Sequence, residues 1–180
     1  PGVLITVVAT ALTAAEVRLT RNVVIYSEKG RFGGWPANHG IWSWGNEILV
    51  GFSAAYFQLK TPDRHQYDNT KPEEPRLARS LDGGETWTIE APPSLLPPEQ
   101  GGAAERDLGE PMDFTDPNFA MKLWFVDANR GPSRLWYSVD RGHTWRGPYR
   151  VPAFGHSSVM ARTDYVVNGK RDAFLFLTVA

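Results

Sequence analysis

One sequence pattern occurs twice, as Ser80-Leu81-Asp82-Gly83-Gly84-Glu85-Thr86-Trp87 and as Ser138-Val139-Asp140-Arg141-Gly142-His143-Thr144-Trp145. Each copy lies between two short runs of strand-forming residues, so the pattern predicts two β-hairpin turns. In such a turn Asp accepts hydrogen bonds from nearby backbone amides, and Gly takes a backbone conformation that other residues avoid. We therefore interpret the recurring residues as structural: Ser80, Asp82, Gly84, Trp87, Ser138, Asp140, Gly142 and Trp145.

The composition agrees with a fold of many short strands. The chain has 180 residues, with 17 Gly, 14 Pro and 7 Trp, which favour turns and aromatic packing between sheets. The formal net charge is -1, which argues against nucleic-acid binding through a basic surface. The chain has no Cys, which excludes a disulfide framework, a thiolate zinc site and a Cys nucleophile.

The first residues form an apolar stretch from Val3 to Ala15 that ends in small side chains. It is shorter than the about 20 apolar residues that a transmembrane helix needs, and it resembles the end of a secretory signal. We expect residues 1–15 to be a truncated signal peptide and the protein to be secreted or periplasmic. A buried strand or short core helix is the alternative. Because the chain ends within the apolar run from Ala173 to Ala180, we also expect a longer protein, of which this is the N-terminal part.

Further strand-like segments divide residues 22–180 into units of antiparallel strands. The first unit spans about residues 36–91, the second about 111–152, and the third, which is incomplete, 157–180. One more strand is predicted at Asn22–Tyr26, before the first unit. The sequence therefore predicts an all-β fold.

The repeated pattern resembles the Asp-box of bacterial neuraminidase repeats, and the chain is similar to a sialidase-type β-propeller. In that family the box lies at the turn between the third and fourth strands of a four-stranded blade. The resemblance implies a propeller that is six-bladed when complete, with under three blades in this chain. It also implies that the strand at Asn22–Tyr26 completes the last blade of the ring.

The starts of the predicted innermost strands supply the candidate substrate-binding residues. They are Arg31, Asn38, His39, Asp113, Arg162 and Asp164. Two guanidinium groups can hold a carboxylate in a fork geometry that Lys does not match. Sialidases bind the carboxylate of their sugar with three arginines, the first of them in an Arg-Ile-Pro motif. Here Gly34-Trp35-Pro36 stands at that place, so Gly34 occupies the position of this arginine.

The candidate acid/base residues lie in a long polar loop, residues 58–75. Sialidases carry their acid/base Asp in a loop at this place, so the resemblance implies this role for Asp63 or Asp68, and His65 is a third candidate catalytic residue. Partial burial against Tyr67 would raise the pKa of a carboxyl toward the value that a general acid needs. A solvated loop without chemistry is the alternative, and the choice between the two aspartates stays open.

The sequence supports two main functions. The first is a sialidase-like exo-glycosidase that hydrolyses a terminal sialic acid or a related acidic sugar from glycans. For this function the resemblance implies a retaining reaction with a Tyr nucleophile from a later blade. The second is a non-catalytic propeller that binds carbohydrate or protein, with Trp35, Tyr56, Phe57 and Tyr67 stacking on sugar rings. Another glycan, or lyase chemistry, is a third possibility. We expect a glycan or glycoconjugate partner, no cofactor, no metal, no nucleic acid and no membrane span.

Overall fold

The computed structural model describes residues 21–127 and 131–180, which form three antiparallel sheets in chain order. Strand predominates at 43%, against 6% helix, so the predicted all-β class is confirmed. None of the sheets closes on itself. The predicted signal segment, residues 1–15, lies outside the described residues. Every helix in the described ranges is too short or too polar to cross a membrane.

The first sheet is built on one long central strand. β1 (Arg31–Gly34) pairs with the second half of β3 (Glu47–Tyr56), and β2 (Ile41–Trp44) pairs with its first half. The short helix α1 (Pro36–His39) interrupts this side of the sheet, because Pro36 favours the first position of a helix. A helical turn therefore separates β1 from β2 on this side of β3.

The other side of β3 carries β4 (Glu74–Ser80), and β5 (Thr88–Glu90) forms the outer edge of the sheet. A long loop, residues 57–73, joins β3 to β4. After β5 the chain makes two single helical turns, at Pro93–Leu95 and Pro98–Gln100, before it enters the second sheet.

The second sheet has three strands in sequence order: β6 (Ala120–Phe125), β7 (Ser133–Ser138) and β8 (Arg146–Arg150). The third sheet is a long hairpin of β9 (Val159–Gly169) and β10 (Asp172–Val179). Apolar side chains from facing strands fill the space between consecutive sheets. The three sheets are thus stacked in the order of the chain.

The two predicted hairpin turns join β4 to β5 and β7 to β8, and they share five hydrogen bonds. Ser80 donates to Asp82 (Oγ to Oδ1, 2.8 Å) and accepts from the amide of Gly84 (2.8 Å). Asp82 also accepts from the amide and hydroxyl of Thr86 (2.9 and 2.6 Å). The indole of Trp87 closes the turn by donating to the carbonyl of Gly84 (2.9 Å). The second turn repeats this set with Ser138, Asp140, Gly142, Thr144 and Trp145.

Two predicted strands are absent from the structure. Asn22–Tyr26 has no regular secondary structure and pairs with no strand. Its last two side chains, Ile25 and Tyr26, instead pack on a face of the first sheet, where the Tyr26 ring lies 4.9 Å from that of Phe52. The predicted innermost strand of the second unit, near Asp113, is also missing. Asp113 accepts a hydrogen bond from the amide of Thr115 (3.0 Å), a local turn that competes with extended backbone.

Side chains of the third sheet bond the edge of β6 that faces away from β7. The hydroxyl of Thr163 accepts from the amide of Leu123 and donates to its carbonyl, both at 3.0 Å. The phenol oxygen of Tyr165 accepts from the amide of Met121 at 3.3 Å and from the indole of Trp42 at 3.1 Å. These hydroxyls satisfy backbone groups that a fourth strand would otherwise pair.

Candidate functional site

A cleft of about 550 Å³ opens between the first and second sheets. Its lining combines aromatic rings with polar and charged side chains. The first sheet and the long loop contribute Trp35, Asn38, His39, Tyr67 and Glu73, and β6 contributes Trp124. Such a mixture of apolar rings and hydrogen-bonding groups is typical of a site for a small polar molecule.

One wall of the cleft is a cluster of rings. Trp35 has φ 55 and ψ 42, a left-handed conformation that is unusual for a bulky residue. Its indole meets the ring of Tyr67 edge-on, with centroids 4.9 Å apart, and lies 5.5 Å from the ring of His65. Phe32 stacks on Tyr67 at 5.9 Å. Strained residues of this kind concentrate at functional sites, because their surroundings must hold them in place.

His39 connects the lining of the cleft to a buried polar group that it forms with Ser53 and Lys122, two residues outside the lining. We call these three residues the floor of the cleft. His39 is 2% exposed, Ser53 0% and Lys122 1%. The Nε2 atom of His39 lies 2.9 Å from the hydroxyl of Ser53, and its Nδ1 atom contacts the Nζ of Lys122. This set links β3 of the first sheet to β6 of the second through the last residue of α1.

Burial disfavours charge on both basic groups of the floor. It lowers the pKa of Lys122 from 10.5 to about 7. It also lowers the pKa of His39 well below 6.5, and the neighbouring Lys122 adds to this effect. His39 is therefore a neutral imidazole at neutral pH, with one nitrogen that accepts a hydrogen bond and one that donates.

Glu73 lies beside this floor, half-buried in the lining of the cleft. Burial raises the pKa of its carboxyl, although the nearby hydroxyl of Ser53 acts in the opposite direction. Burial, followed by the charge of Glu73, likewise raises the pKa of Tyr67. The side-chain amide of Gln100 donates to the backbone carbonyl of Glu73 at 2.8 Å and holds the end of the loop in place. The carboxyl thus has the environment that a general acid requires.

The structure brings three of the sequence candidates to this cleft: Asn38, His39 and His65. Asp63 and Asp68 belong to the same loop but not to the lining. Asp63 is exposed beside Arg64, at 3.6 Å. Hydrogen bonds from the side chain and then the amide of Thr70 lower the pKa of Asp68, which is the direction opposite to that of a general acid.

The other candidates lie apart from one another. Arg31 pairs with Glu74 at 3.2 Å and covers the ring of Tyr56 at 4.4 Å. Arg162 and Asp164 line a separate cavity of about 270 Å³ on the third sheet. Asp113 pairs with Lys170 at 3.3 Å. The two arginines therefore do not converge on one carboxylate site.

Sequence reasoning missed Ser53, Glu73, Lys122 and Trp124. A signal existed for Lys122, because it interrupts an apolar strand whose neighbours on both sides are buried. A charged residue at such a position has to find a polar partner. Nothing comparable distinguished Glu73 from Glu74, the adjacent residue of the same type.

Comparisons with models of protein families, with curated proteins and with solved structures found no match. Within residues 21–127 and 131–180, no three His, Asp or Glu side chains are grouped so that they could hold a metal ion.

Proposed function

We propose that the protein is a glycoside hydrolase that binds a glycan in the cleft between the first two sheets, with Glu73 as the general acid. One observation carries this proposal: a half-buried carboxyl whose pKa burial has raised lies in a cleft beside aromatic rings. Aromatic faces stack on sugar rings, and a carboxyl whose pKa is raised by burial is suited to protonate a glycosidic oxygen.

We further propose that the three sheets are consecutive blades of an Asp-box β-propeller. Their stacking in chain order supports this arrangement, as does the position of the two box turns before the last strand of the first and second sheets. The cleft then lies between two neighbouring blades.

The cationic side chains of the cleft indicate whether it binds a neutral sugar or one with a carboxylate. Lys71 and Arg134 belong to its lining. The guanidinium of Arg134 is already bound by Glu99 at 2.9 Å and by Glu105 at 2.8 Å. A pair of arginines ready to hold a sugar carboxylate is not found among the described residues of the cleft. We therefore favour a neutral sugar over the sialic acid that the family resemblance implies.

The test compares two adjacent glutamates. Glu73→Gln should lower kcat/KM by about 10²- to 10⁴-fold, because it removes the proton donor. Glu74→Gln is the matched control, since that side chain pairs with Arg31 instead of lining the cleft. Turnover is measured on alkyl and 4-nitrophenyl glycosides of neutral sugars and on a sialoside. The loss should be larger for the alkyl glycosides, because 4-nitrophenolate leaves without being protonated.

Four outcomes would contradict parts of this proposal. Equal losses in Glu73→Gln and Glu74→Gln would remove the acid role, and a loss confined to Asp63→Asn or Asp68→Asn would transfer it to the loop aspartates. Turnover of the sialoside alone would restore sialic acid as the substrate. Sugar binding by calorimetry without turnover of any glycoside would replace the hydrolase with a binding propeller.

A further inference from the structure

We propose that the indole N–H of Trp136 donates a hydrogen bond to one uncharged oxygen of the sugar in the cleft, and that this bond selects which neutral sugar binds. The inference rests on the proposed function, to which it adds a specificity-determining residue. Trp136 has no part in the proposed proton transfer from Glu73.

Trp136 lies on the face of the second sheet that borders the cleft. In the pairing of β6 with β7 it stands opposite Lys122, and Trp124 stands opposite Arg134. Because alternate residues of a strand and opposite residues of a pair share a face, these four side chains lie on one face of the sheet. Trp124, Arg134 and Trp136 all belong to the lining of the cleft.

The indole nitrogen of Trp136 has no hydrogen-bond partner. Among the described residues, the buried side-chain atoms without a partner are Arg31 Nε, Trp136 Nε1 and Ser158 Oγ, and only Trp136 belongs to the lining of the cleft. The indole of Trp145, in the same core cluster, instead donates to the carbonyl of Gly142 at 3.0 Å. An unpaired buried donor is costly, so its presence indicates that a partner is missing.

The missing partner has to come from the cleft. Within the core, Trp136 packs in an apolar cluster with Leu49, Leu77 and Leu95, whose side chains carry no acceptor. The cleft is the other environment of this ring. An indole nitrogen only donates, so the partner that completes it is an acceptor atom of whatever fills the cleft.

The surroundings of Trp136 favour an uncharged oxygen over a carboxylate. A buried carboxylate needs a cation beside it. On this face of the sheet, Arg134 is already bound by Glu99 and Glu105, and Lys122 contacts His39. A hydroxyl or an acetamido carbonyl needs no such cation. A sugar without the matching oxygen leaves the indole N–H unpaired, and this is the basis of the selection.

The test makes one substitution at two tryptophans of the same cluster. Trp136→Phe removes the proposed bond to the ligand, whereas Trp145→Phe removes a bond that the free protein already makes. Calorimetry of the whole chain measures binding of methyl thioglycosides, which resist hydrolysis, of glucose, galactose, mannose and N-acetylglucosamine. Analogues of the sugar that binds, each lacking one oxygen, are then compared. Trp136→Phe should weaken binding of the parent sugar about 5- to 100-fold. One analogue should bind to the wild type and to Trp136→Phe with equal affinity, and Trp145→Phe should keep the affinities of the wild type.

Proton NMR of the wild type tests the same bond without a substitution. The indole N–H signal of Trp136 should move to lower field with the parent sugar and should move far less with that one analogue. If Trp136→Phe distinguishes the analogues as the wild type does, or if the signal stays in place when the sugar binds, the inference is wrong while the acid role of Glu73 stands. If no sugar binds and none is hydrolysed, the proposed function fails and this inference fails with it.

Discussion

The two box turns share a sequence pattern and a hydrogen-bond set, but they occupy different places in the molecule. The first turn remains at the surface, where the amide of Gly83 donates to Asn46 of a neighbouring hairpin in the same sheet, at 2.8 Å. The second turn lies against the first sheet. The guanidinium of Arg141 bonds Glu47 at 3.0 Å, and the carbonyl of Arg141 accepts from Arg79 at 2.9 Å.

The tryptophans show the difference most clearly. Trp145 is 5% exposed in the core between the first two sheets, with its ring 5.6 Å from that of Trp42. Trp87 is half-buried on a face of the first sheet, near Phe52 and Ala78. The same local motif therefore closes a turn in one case and joins two sheets in the other. Its geometry is set by nearby residues, whereas its contribution to stability depends on what packs against the ring.

The largest contrast should come from the indoles. Trp145→Ala should cost about 3–5 kcal/mol of unfolding free energy, because it leaves a cavity between two sheets. Trp87→Ala should cost less, about 1–2 kcal/mol, since that ring is only partly buried on an outer face of the sheet. Each variant loses one indole hydrogen bond, so that contribution cancels in the comparison. Urea unfolding measures both values. Equal losses of unfolding free energy would show that the two tryptophans contribute equally to stability.

The glycines should give an intermediate contrast. Gly84 and Gly142 have φ values of +95 and +77, so Ala at either position is strained by about 1–2 kcal/mol. A Cβ at Gly142 would also clash with the Cδ2 atom of Leu49, which is fully buried. At Gly84 the nearest atom is 3.6 Å away. Gly142→Ala should thus cost about 1–3 kcal/mol more than Gly84→Ala, measured by urea unfolding.

One outcome would contradict the predicted difference between the two glycine variants. If both alanine variants unfold at the same urea concentration, the second turn is not packed against Leu49 as described. A double variant with Leu49→Ala should then recover nothing, whereas relief of a real clash would return part of the lost stability.

The aspartates should give the smallest contrast between the two turns, because the carboxyl pKa is lowered in both. Hydrogen bonds, first from the Thr86 hydroxyl, lower the pKa of Asp82 to about 2. At Asp140 burial works to raise the pKa, but hydrogen bonds from Ser138 and Thr144 outweigh it and the pKa is lowered. A lowered carboxyl pKa stabilises the fold fully above its ordinary value of 3.8, and this stabilisation is lost as pH falls through the folded value.

Asp82→Asn and Asp140→Asn should therefore be less stable than the wild type at pH 6 and should converge with it near pH 2. Urea midpoints between these pH values measure the convergence. Curves that stay parallel to the wild type down to pH 2 would mean that the carboxylates are not the source of the acid sensitivity.

Local motifs were predictable from the sequence, and long-range contacts were not. The box turns need only residues within a few positions, so the pattern from Ser80 to Trp87 was sufficient. The floor of the cleft needs His39 and Lys122, which come from different sheets, and no local pattern relates them. The polar loop did suggest acid chemistry near the cleft. Which carboxyl is suited to this chemistry depends on burial, however. Burial distinguishes Glu73 from Asp63 only once the sheets are packed.

The bonded edge of β6 has a consequence for aggregation. An open strand edge offers its amides and carbonyls to any other extended chain, and this is how sheets recruit foreign strands. The hydroxyls of Thr163 and Tyr165 occupy the groups of Met121 and Leu123 that such a strand would use. A foreign strand can add there only after the third sheet has detached. The hairpin of β9 and β10 therefore protects the edge of β6 from pairing with a foreign strand.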